Sequence, residues 1–178
     1  FAQLGFVQFN KKTEQNIKVE DVSIEDMRKI QTDYIITTQK FDYAGFDGIQ
    51  IGLGNYYFLA RFINPTFNTL HDNYGGNTLN RLRIVLEMIK VIKNTTKLHI
   101  NCRLNAFDTA NGMTLKETIN ICKLFEKYGV DSLQITRPRS PQFFTRENKE
   151  KNPLIESAQK INENVNLPTD IKDIAKEI

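Results

Sequence analysis

The sequence has no tryptophan, only two cysteines and no long apolar run. Cys102 and Cys122 lack the spacing of paired metal ligands, so we expect two buried free thiols and predict no metal site. A membrane-spanning helix needs roughly 20 consecutive apolar residues, and no segment approaches that length. The first residues also lack the pattern of a signal peptide. We therefore expect an intracellular, soluble protein without a membrane span.

A strong charge of either sign is also missing. The 24 lysines and arginines stand against 21 aspartates and glutamates, and the resulting net charge of +3 is spread along the chain. Such a weak, mixed field favours solvated helix faces over a nucleic-acid-binding patch. The length of 178 residues suits a single domain, 1–178, with a real hydrophobic core.

Predicted strands and helices alternate along the chain. Alternating or β-branched segments predict strands at "FAQLGFVQF", "FDGIQI", "KLHINCRLNAF" and "VDSLQIT". Apolar residues at helical spacing predict helices from Ser23 to Ala44, in "LNRLRIVLEMIKVIKNTT", in "TLKETINICKLFEKYG" and in "PLIESAQKINEN". The long connection from Gly52 to Leu79 predicts a functional loop or small helices. Residues 137–152 are predicted to form a second, polar loop.

Two helices carry start signals. Ser23 and Asp26 have the spacing of a capping box, and Thr114 with Glu117 predicts a full one. A box of this kind satisfies two free backbone N–H groups at once. Both helices should therefore begin at fixed residues.

Repeated strand–helix units predict a parallel sheet. No G-x-G-x-x-G motif opens any helix, which favours a (β/α) barrel over a doubly wound dinucleotide-binding sheet. In barrels the chemistry lies on loops that leave the carboxyl ends of strands. The segments "GLGNYY" and "RLNAF" occupy such positions.

An ordered series of segments then resembles one known family. "AGFDGIQI", "NYYFLARFINP", "DNYGGNTLNR", "KLHINCRLNAFD" and "MTLKETINICKLFEKYGVDSLQIT" resemble the old yellow enzyme family, the FMN-dependent NADH:flavin oxidoreductases and ene-reductases. The resemblance runs in order from about Tyr34 to Thr136 and includes the uncommon D-x-Y-G-G…N-R string. The opening "FAQLGFVQF" resembles the family's Q-L-x-H-x-G-R segment more weakly.

The resemblance implies a partial (β/α)8 TIM barrel covering roughly the third to sixth strands and their helices, as the central part of a flavin-binding barrel. The family's last two strands, whose loops hold the FMN phosphate, have no counterpart in this expectation. The closing "TDIKDIAKEI" is expected to be charged and helix-like where the family has a buried strand. Because a partial barrel leaves open sheet edges, we expect either a longer chain or partners that cover it.

The resemblance also implies cofactor-binding residues. Arg103 matches the family arginine that lies by the flavin pyrimidine edge and stabilises the reduced ring. Gln3 matches the glutamine that hydrogen-bonds the flavin ring. Without the resemblance, both are ordinary polar residues at strand ends. FMN and NAD(P)H are the cofactors that the family implies.

The opening of the long loop carries the implied catalytic residues. In the family's H-G-A-N-G-Y, the His and Asn bind the carbonyl oxygen of an unsaturated substrate and the Tyr donates a proton. Asn55 and Tyr57 hold the last two positions here, whereas Gly52 replaces the His. A loop Asn in an unusual backbone conformation and aromatic packing at the barrel mouth are the structural alternatives for these residues.

Two functions follow from the sequence. The first is an FMN-dependent oxidoreductase that passes hydride from NAD(P)H through flavin to an activated alkene, such as an α,β-unsaturated carbonyl compound. The second is a catalytically degenerate homologue, a pseudoenzyme that serves as a structural or assembly subunit with protein partners. Gly52 and the missing phosphate end motivate the second. Whether the chain is an enzyme is thus left open by the sequence.

Overall fold

The computed structural model describes residues 2–4, 18–54, 57–108, 112–137 and 153–171. Five strands form one sheet: β1 (Ala2–Leu4), β2 (Gly48–Gly52), β3 (His99–Asn105), β4 (Ser132–Thr136) and β5 (Thr169–Ile171). The helices are α1 (Ile24–Tyr43), α2 (Phe58–Ile63), α3 (Thr78–Thr95), α4 (Leu115–Lys127) and α5 (Pro153–Asn162). No helix in these ranges is long and apolar enough to cross a membrane.

The strands lie in chain order, β1-β2-β3-β4-β5, and each pairs in parallel with the next. A sheet in which every strand is followed by its sequence neighbour is an arc of a (β/α) barrel, whereas a doubly wound sheet reverses its order at a switch point. The barrel prediction is therefore confirmed. The long loop contains α2, one of the small helices that its length suggested.

The helix expected after Pro168 is contradicted by the structure. The segment "TDIKDIAKEI" is predicted to be helix-like, but its first three residues, Thr169–Ile171, form β5 beside β4, while residues 172–178 lie outside the described residues. The backbone N–H of Leu133 bonds the Pro168 carbonyl at 2.8 Å, and the pairing continues from there. Strand pairing over such a sequence distance overrides the local charge pattern. The arc thus extends one strand beyond the predicted third-to-sixth range.

The core lies between the outer face of the sheet and the helices. The outward side chains of β2, β3 and β4 are almost fully buried: Ile49, Ile51, Ile100, Cys102, Leu104, Leu133 and Ile135. They face apolar stripes on α3 and α4, which include the predicted helix face of Leu82, Val85, Leu86, Ile89 and Ile92. Every second strand residue therefore points the other way, toward the inside of the barrel.

The helix starts were predicted with mixed success. At α1 both halves of the capping box form between Ser23 and Asp26. At α4 the Thr114 hydroxyl accepts from the Glu117 N–H at 3.2 Å, but the Glu117 carboxylate bonds Arg81 and Thr78 instead of returning to Thr114. The predicted full box is thus wrong in its second half, because a buried cation competes for the carboxylate.

The loop before α3 is folded tightly around two glycines. A Cβ at Gly75 would lie 1.9 Å from the Leu70 carbonyl oxygen, whereas one at Gly76 would meet nothing within 4 Å. Gly76 instead has a φ of +77°, a conformation that side chains other than glycine rarely adopt. The first glycine is required by space, and the second by backbone conformation.

The adjacent glycines make a matched pair of variants. We expect Gly75→Ala to destabilise the fold by about 1–3 kcal/mol, since overpacking moves backbone, and Gly76→Ala by about 1 kcal/mol from the left-handed conformation. Urea unfolding of both variants measures the difference. Gly76→Asn should recover part of its loss because Asn tolerates this region. Equal losses for the two alanine variants would contradict the steric explanation for Gly75.

Candidate functional site

The strand register brings the functional candidates to one edge of the sheet. Gly52 of β2 pairs with Arg103 of β3, which pairs with Gln134 of β4. Residues in register in a parallel sheet project from the same face, so these three point into the barrel interior near the carboxyl ends of their strands. This is the edge at which barrels carry their chemistry.

Arg103 stands at this edge as a cation with free hydrogen-bonding capacity. Its Nε atom is buried and makes no hydrogen bond within the described part of the chain. A guanidinium carries five N–H donors and keeps its charge at any ordinary pH. A buried donor without a partner is costly in a native protein. The buried Nε–H leaves a donor that an oxygen or nitrogen acceptor of a ligand could use, and the family resemblance, not the residue pattern alone, had pointed to Arg103.

Tyr57 lies against Gly52. A Cβ built on Gly52 would be 3.2 Å from Cδ2 and 3.3 Å from Cε2 of the Tyr57 ring, and 3.4 Å from the Leu4 carbonyl oxygen. The ring therefore covers the place from which a side chain at position 52 would project. In Tyr57 the carbon that carries the hydroxyl, Cζ, is bonded to Cε2, so the hydroxyl lies close to this same edge of the sheet. The structure thus places the Tyr57 ring over Gly52 of β2, the residue that pairs with Arg103 of β3.

The close approach of Tyr57 to Gly52 predicts a coupling between them. We expect Gly52→Ala to destabilise the fold by about 1–3 kcal/mol, because the new methyl group presses on the ring. In a Tyr57→Ala background the same change should cost less, and urea unfolding of the four proteins measures the coupling. An equal cost in both backgrounds would mean that the Leu4 carbonyl, and not the ring, limits the space at position 52.

Gly54 belongs to a second contact that the sequence did not reveal. A Cβ there would lie 2.9 Å from Oδ1 of Asn105, and that oxygen accepts a hydrogen bond from the Thr136 hydroxyl at 3.0 Å. Thr136 is fully buried. The two glycines of "GLGNYY" thus have separate roles: Gly52 admits an aromatic ring and Gly54 admits the Asn105 amide between two strand ends.

The other two predicted site residues are separated or undescribed. Gln3 pairs with Gln50, so it lies two strands away from β3, which is about 10 Å at the usual strand spacing. Its side chain is exposed. Asn55 lies outside the described residues, as does Tyr56 beside it. The described structure therefore places Tyr57 over the strand next to Arg103, whereas Gln3 lies two strands from Arg103.

The remaining candidate groups stay outside this edge. Cys102 and Cys122 are buried free thiols, as predicted. Burial raises the pKa of Cys122 to about 12 and holds that of Cys102 well above its ordinary value. Thiols in this state are poor nucleophiles and metal ligands at neutral pH. Within the described ranges, no group of three or more His, Cys, Asp or Glu side chains could hold a metal ion.

Fold and site together define the class of the chain: an arc of a (β/α)8 barrel with a cation, Arg103, near its carboxyl edge. The model of the NADH:flavin oxidoreductase / NADH oxidase family matches residues 4–172. The chain belongs to this family, and the sequence resemblance is thereby confirmed. Membership also supports FMN and NAD(P)H as the cofactors of the group to which the chain belongs.

Individual relatives agree with this assignment. An NADPH dehydrogenase of Listeria welshimeri is 29% identical over 124 residues, which are 69% of this chain and 37% of the relative. Among solved structures, a 2-naphthoyl-CoA reductase complex matches 84% of the chain and 24% of its own length, with a TM-score of 0.73 and 23% identity. An old yellow enzyme homologue from Zymomonas mobilis matches 85% of this chain and 42% of its own length, with a TM-score of 0.66 and 19% identity. The structural matches establish the barrel fold.

The chain is short compared with these proteins. It spans 30% of the first curated relative, an NADH:flavin oxidoreductase of Gibberella zeae, and 37% of the Listeria enzyme. Five of the eight strands of such a barrel are present in the described residues. The segment covers one side of the carboxyl edge, where Arg103 and Tyr57 lie.

Proposed function

We propose that the protein is an FMN-dependent oxidoreductase of the old yellow enzyme type, which passes hydride from NAD(P)H through flavin to an activated alkene. The single observation that carries the proposal is Arg103, a cation with a buried, unpartnered Nε at the carboxyl edge of a barrel. The chain belongs to a family of flavin oxidoreductases, and the acceptor atoms of a flavin ring suit such a donor.

The chain's own residues have definite parts in this proposal. FMN, when bound, supplies the hydride chemistry. Arg103 would hold the flavin ring through its buried Nε–H, and its permanent charge would stabilise the negative charge that reduction brings. Gln3 would add a hydrogen bond to the ring from β1.

Substrate binding and protonation are assigned to the loop after β2. Asn55 donates a hydrogen bond to the oxygen of an α,β-unsaturated carbonyl compound, and the Tyr57 hydroxyl gives a proton to its α-carbon. The position of Tyr57 over Gly52, next to the Arg103 strand, supports this role. With Gly52 offering no side chain, one carbonyl donor is missing, which typically costs about 10²–10³ in rate. We therefore expect a slow ene-reductase.

The deciding experiment is a flavin assay on the purified full-length protein. The protein should be yellow and should bleach when NADPH is added without oxygen, and an enone such as cyclohexenone should restore the colour. A protein that stays colourless after reconstitution with FMN and does not respond to NADPH would refute the proposal.

A degenerate homologue is the second candidate, and Gly52 is the observation that favours it. Loss of the donor at this position removes part of the catalytic constellation. This alternative predicts that the protein copurifies with protein partners in a stable complex and holds no flavin. A monodisperse monomer with bound FMN would contradict it.

A further inference from the structure

The barrel-facing side of the sheet is polar where barrel interiors are usually filled by branched apolar residues. A chain of hydrogen bonds, here named the amide chain, crosses β2 to β5 on this face and consists of His99, Ser132, Asn101, Gln50, Gln134 and Asp170. It lies directly beside and below Arg103. Gln134 pairs with Arg103 across the sheet, and Asn101 precedes it by two residues on the same face.

Gln50 is the centre of the amide chain. Its Nε2 donates to Asn101 Oδ1 at 2.8 Å and to Gln134 Oε1 at 3.3 Å. The Asp170 end fixes the direction of these bonds. The Asp170 carboxylate can only accept, so Gln134 donates from Nε2 to it at 3.3 Å and turns Oε1 toward Gln50. Gln50 therefore presents Nε2 to both neighbours, and Asn101 turns Oδ1 toward it and donates from Nδ2 to Ser132 Oγ at 2.8 Å.

These two amide oxygens could compete with a ligand for the N–H donors of Arg103. Amide oxygens accept well from guanidinium N–H groups, and both lie on strand positions next to Arg103 on its own face. Arg103 nevertheless leaves its Nε unpartnered. Asp170 is the one carboxylate among the described strand residues of this face, and it lies two strands from Arg103 with its Oδ2 bonded to Gln134.

We propose that Gln50 is a positioning residue that keeps Arg103 available for its ligand. By donating to Asn101 Oδ1 and Gln134 Oε1, Gln50 engages one lone pair of each oxygen and holds both amides turned toward itself rather than toward the guanidinium. The donors of Arg103 are then left for a ligand at the carboxyl edge. This inference deepens the proposed function and rests on it where the ligand is FMN, but the orientation of Arg103 can be tested without FMN.

Gln50→Met is the sharpest test, because Met has nearly the same shape and no donor. In full-length protein we expect FMN to bind at least about tenfold more weakly, the size of a lost hydrogen bond to a charged group. Adding Gln134→Met removes the competing oxygen beside Arg103 and should restore part of the affinity. Ser132→Ala is the matched control, because it breaks the amide chain without freeing an oxygen next to Arg103, and its FMN affinity should stay within about twofold.

The crystal structure of flavin-free Gln50→Met provides a readout that does not depend on flavin binding. There the Arg103 guanidinium should bond Asn101 Oδ1 or Gln134 Oε1. If Met at this position prevents folding, Gln50→Asn serves instead, since its shorter amide cannot reach β4 and frees the Gln134 oxygen.

Each result decides a different question. A wild-type protein that binds no FMN refutes the proposed function, yet the flavin-free structures still test Gln50. An Arg103 that keeps its wild-type orientation in the Gln50 variants refutes the positioning role, whether or not FMN binds. Unchanged FMN affinity in a folded Gln50→Met protein refutes it as well. If Gln134→Met alone weakened FMN as much as Gln50→Met, the amides would contact the ligand directly, which also overturns the inference.

Discussion

Replacing Glu117 with alanine should destabilise the fold by about 3–5 kcal/mol, because it leaves a buried guanidinium without its counter-charge. Only 6% of the Arg81 side chain and 19% of the Glu117 side chain are exposed. Burial lowers the pKa of Arg81 from its ordinary value, and the Glu117 carboxylate opposes that shift. Urea unfolding of the purified variant measures the loss.

The surroundings of the pair explain why the effect should be large. Arg81 also donates to the carbonyl oxygens of Ile63 and Gly76, and the Thr78 hydroxyl donates to Glu117 at 2.7 Å. The ion pair therefore ties α2, the glycine loop, α3 and α4 together. Asp33→Ala is the matched control: its pair with Lys29 is an exposed pair one helical turn apart, worth about 0.3–0.5 kcal/mol. A loss below about 1 kcal/mol for Glu117→Ala would show that the pair is not a structural centre.

The general architecture could be predicted because its causes are local. In "GIQIG" the two isoleucines alternate with Gln50, and this pattern alone indicates a strand with one apolar face. Ser23 and Asp26 lie within one helical turn, so their capping box depends on no distant residue. Helical spacing placed the buried face of α3 for the same reason. Periodicity and capping act over a few residues, and the sequence displays them directly.

The errors all arose from partners distant in the chain. Glu117 was assigned to its own helix cap, but Arg81, 36 residues earlier, bonds its carboxylate. Thr169–Ile171 carries charged neighbours typical of an exposed helix, yet pairing with β4 makes it a strand. A local sequence pattern does not show that a residue distant in the chain will take a side chain away from its local partner, or will pair with a segment that locally resembles a helix.

The candidate site was predictable only in part. Family resemblance selected Arg103 and Tyr57, and in the structure the Tyr57 ring lies over Gly52, which pairs with Arg103. The resemblance did not indicate the amide chain, because Gln50, Asn101 and Gln134 are single polar residues within apolar strands. These side chains are close only because of the register between the strands. A shift of one strand by one residue would turn its side chains to the other face of the sheet. Register is set by the whole sheet and not by any one segment.

Replacing Arg103 with methionine should have the second large effect. In full-length protein we expect the rate of flavin reduction by NADPH to fall by about 10²–10³, the usual loss when one preorganised charge-stabilising group is removed. The midpoint potential of bound FMN should become more negative, because the permanent positive charge no longer favours the reduced ring. Stopped-flow reduction and a spectroelectrochemical titration measure the two quantities.

The outcome separates a role at the ligand from a role in folding. Because Nε of Arg103 has no hydrogen-bond partner within the described residues, methionine should leave the melting temperature unchanged or raise it, since it removes a buried donor without orphaning an acceptor. Arg103→Lys keeps the charge but not the fork of donors, so its potential should lie between those of the wild type and the methionine variant. A methionine variant with lowered stability and an unchanged potential would place Arg103 among the structural residues and would remove the observation on which the proposed function rests.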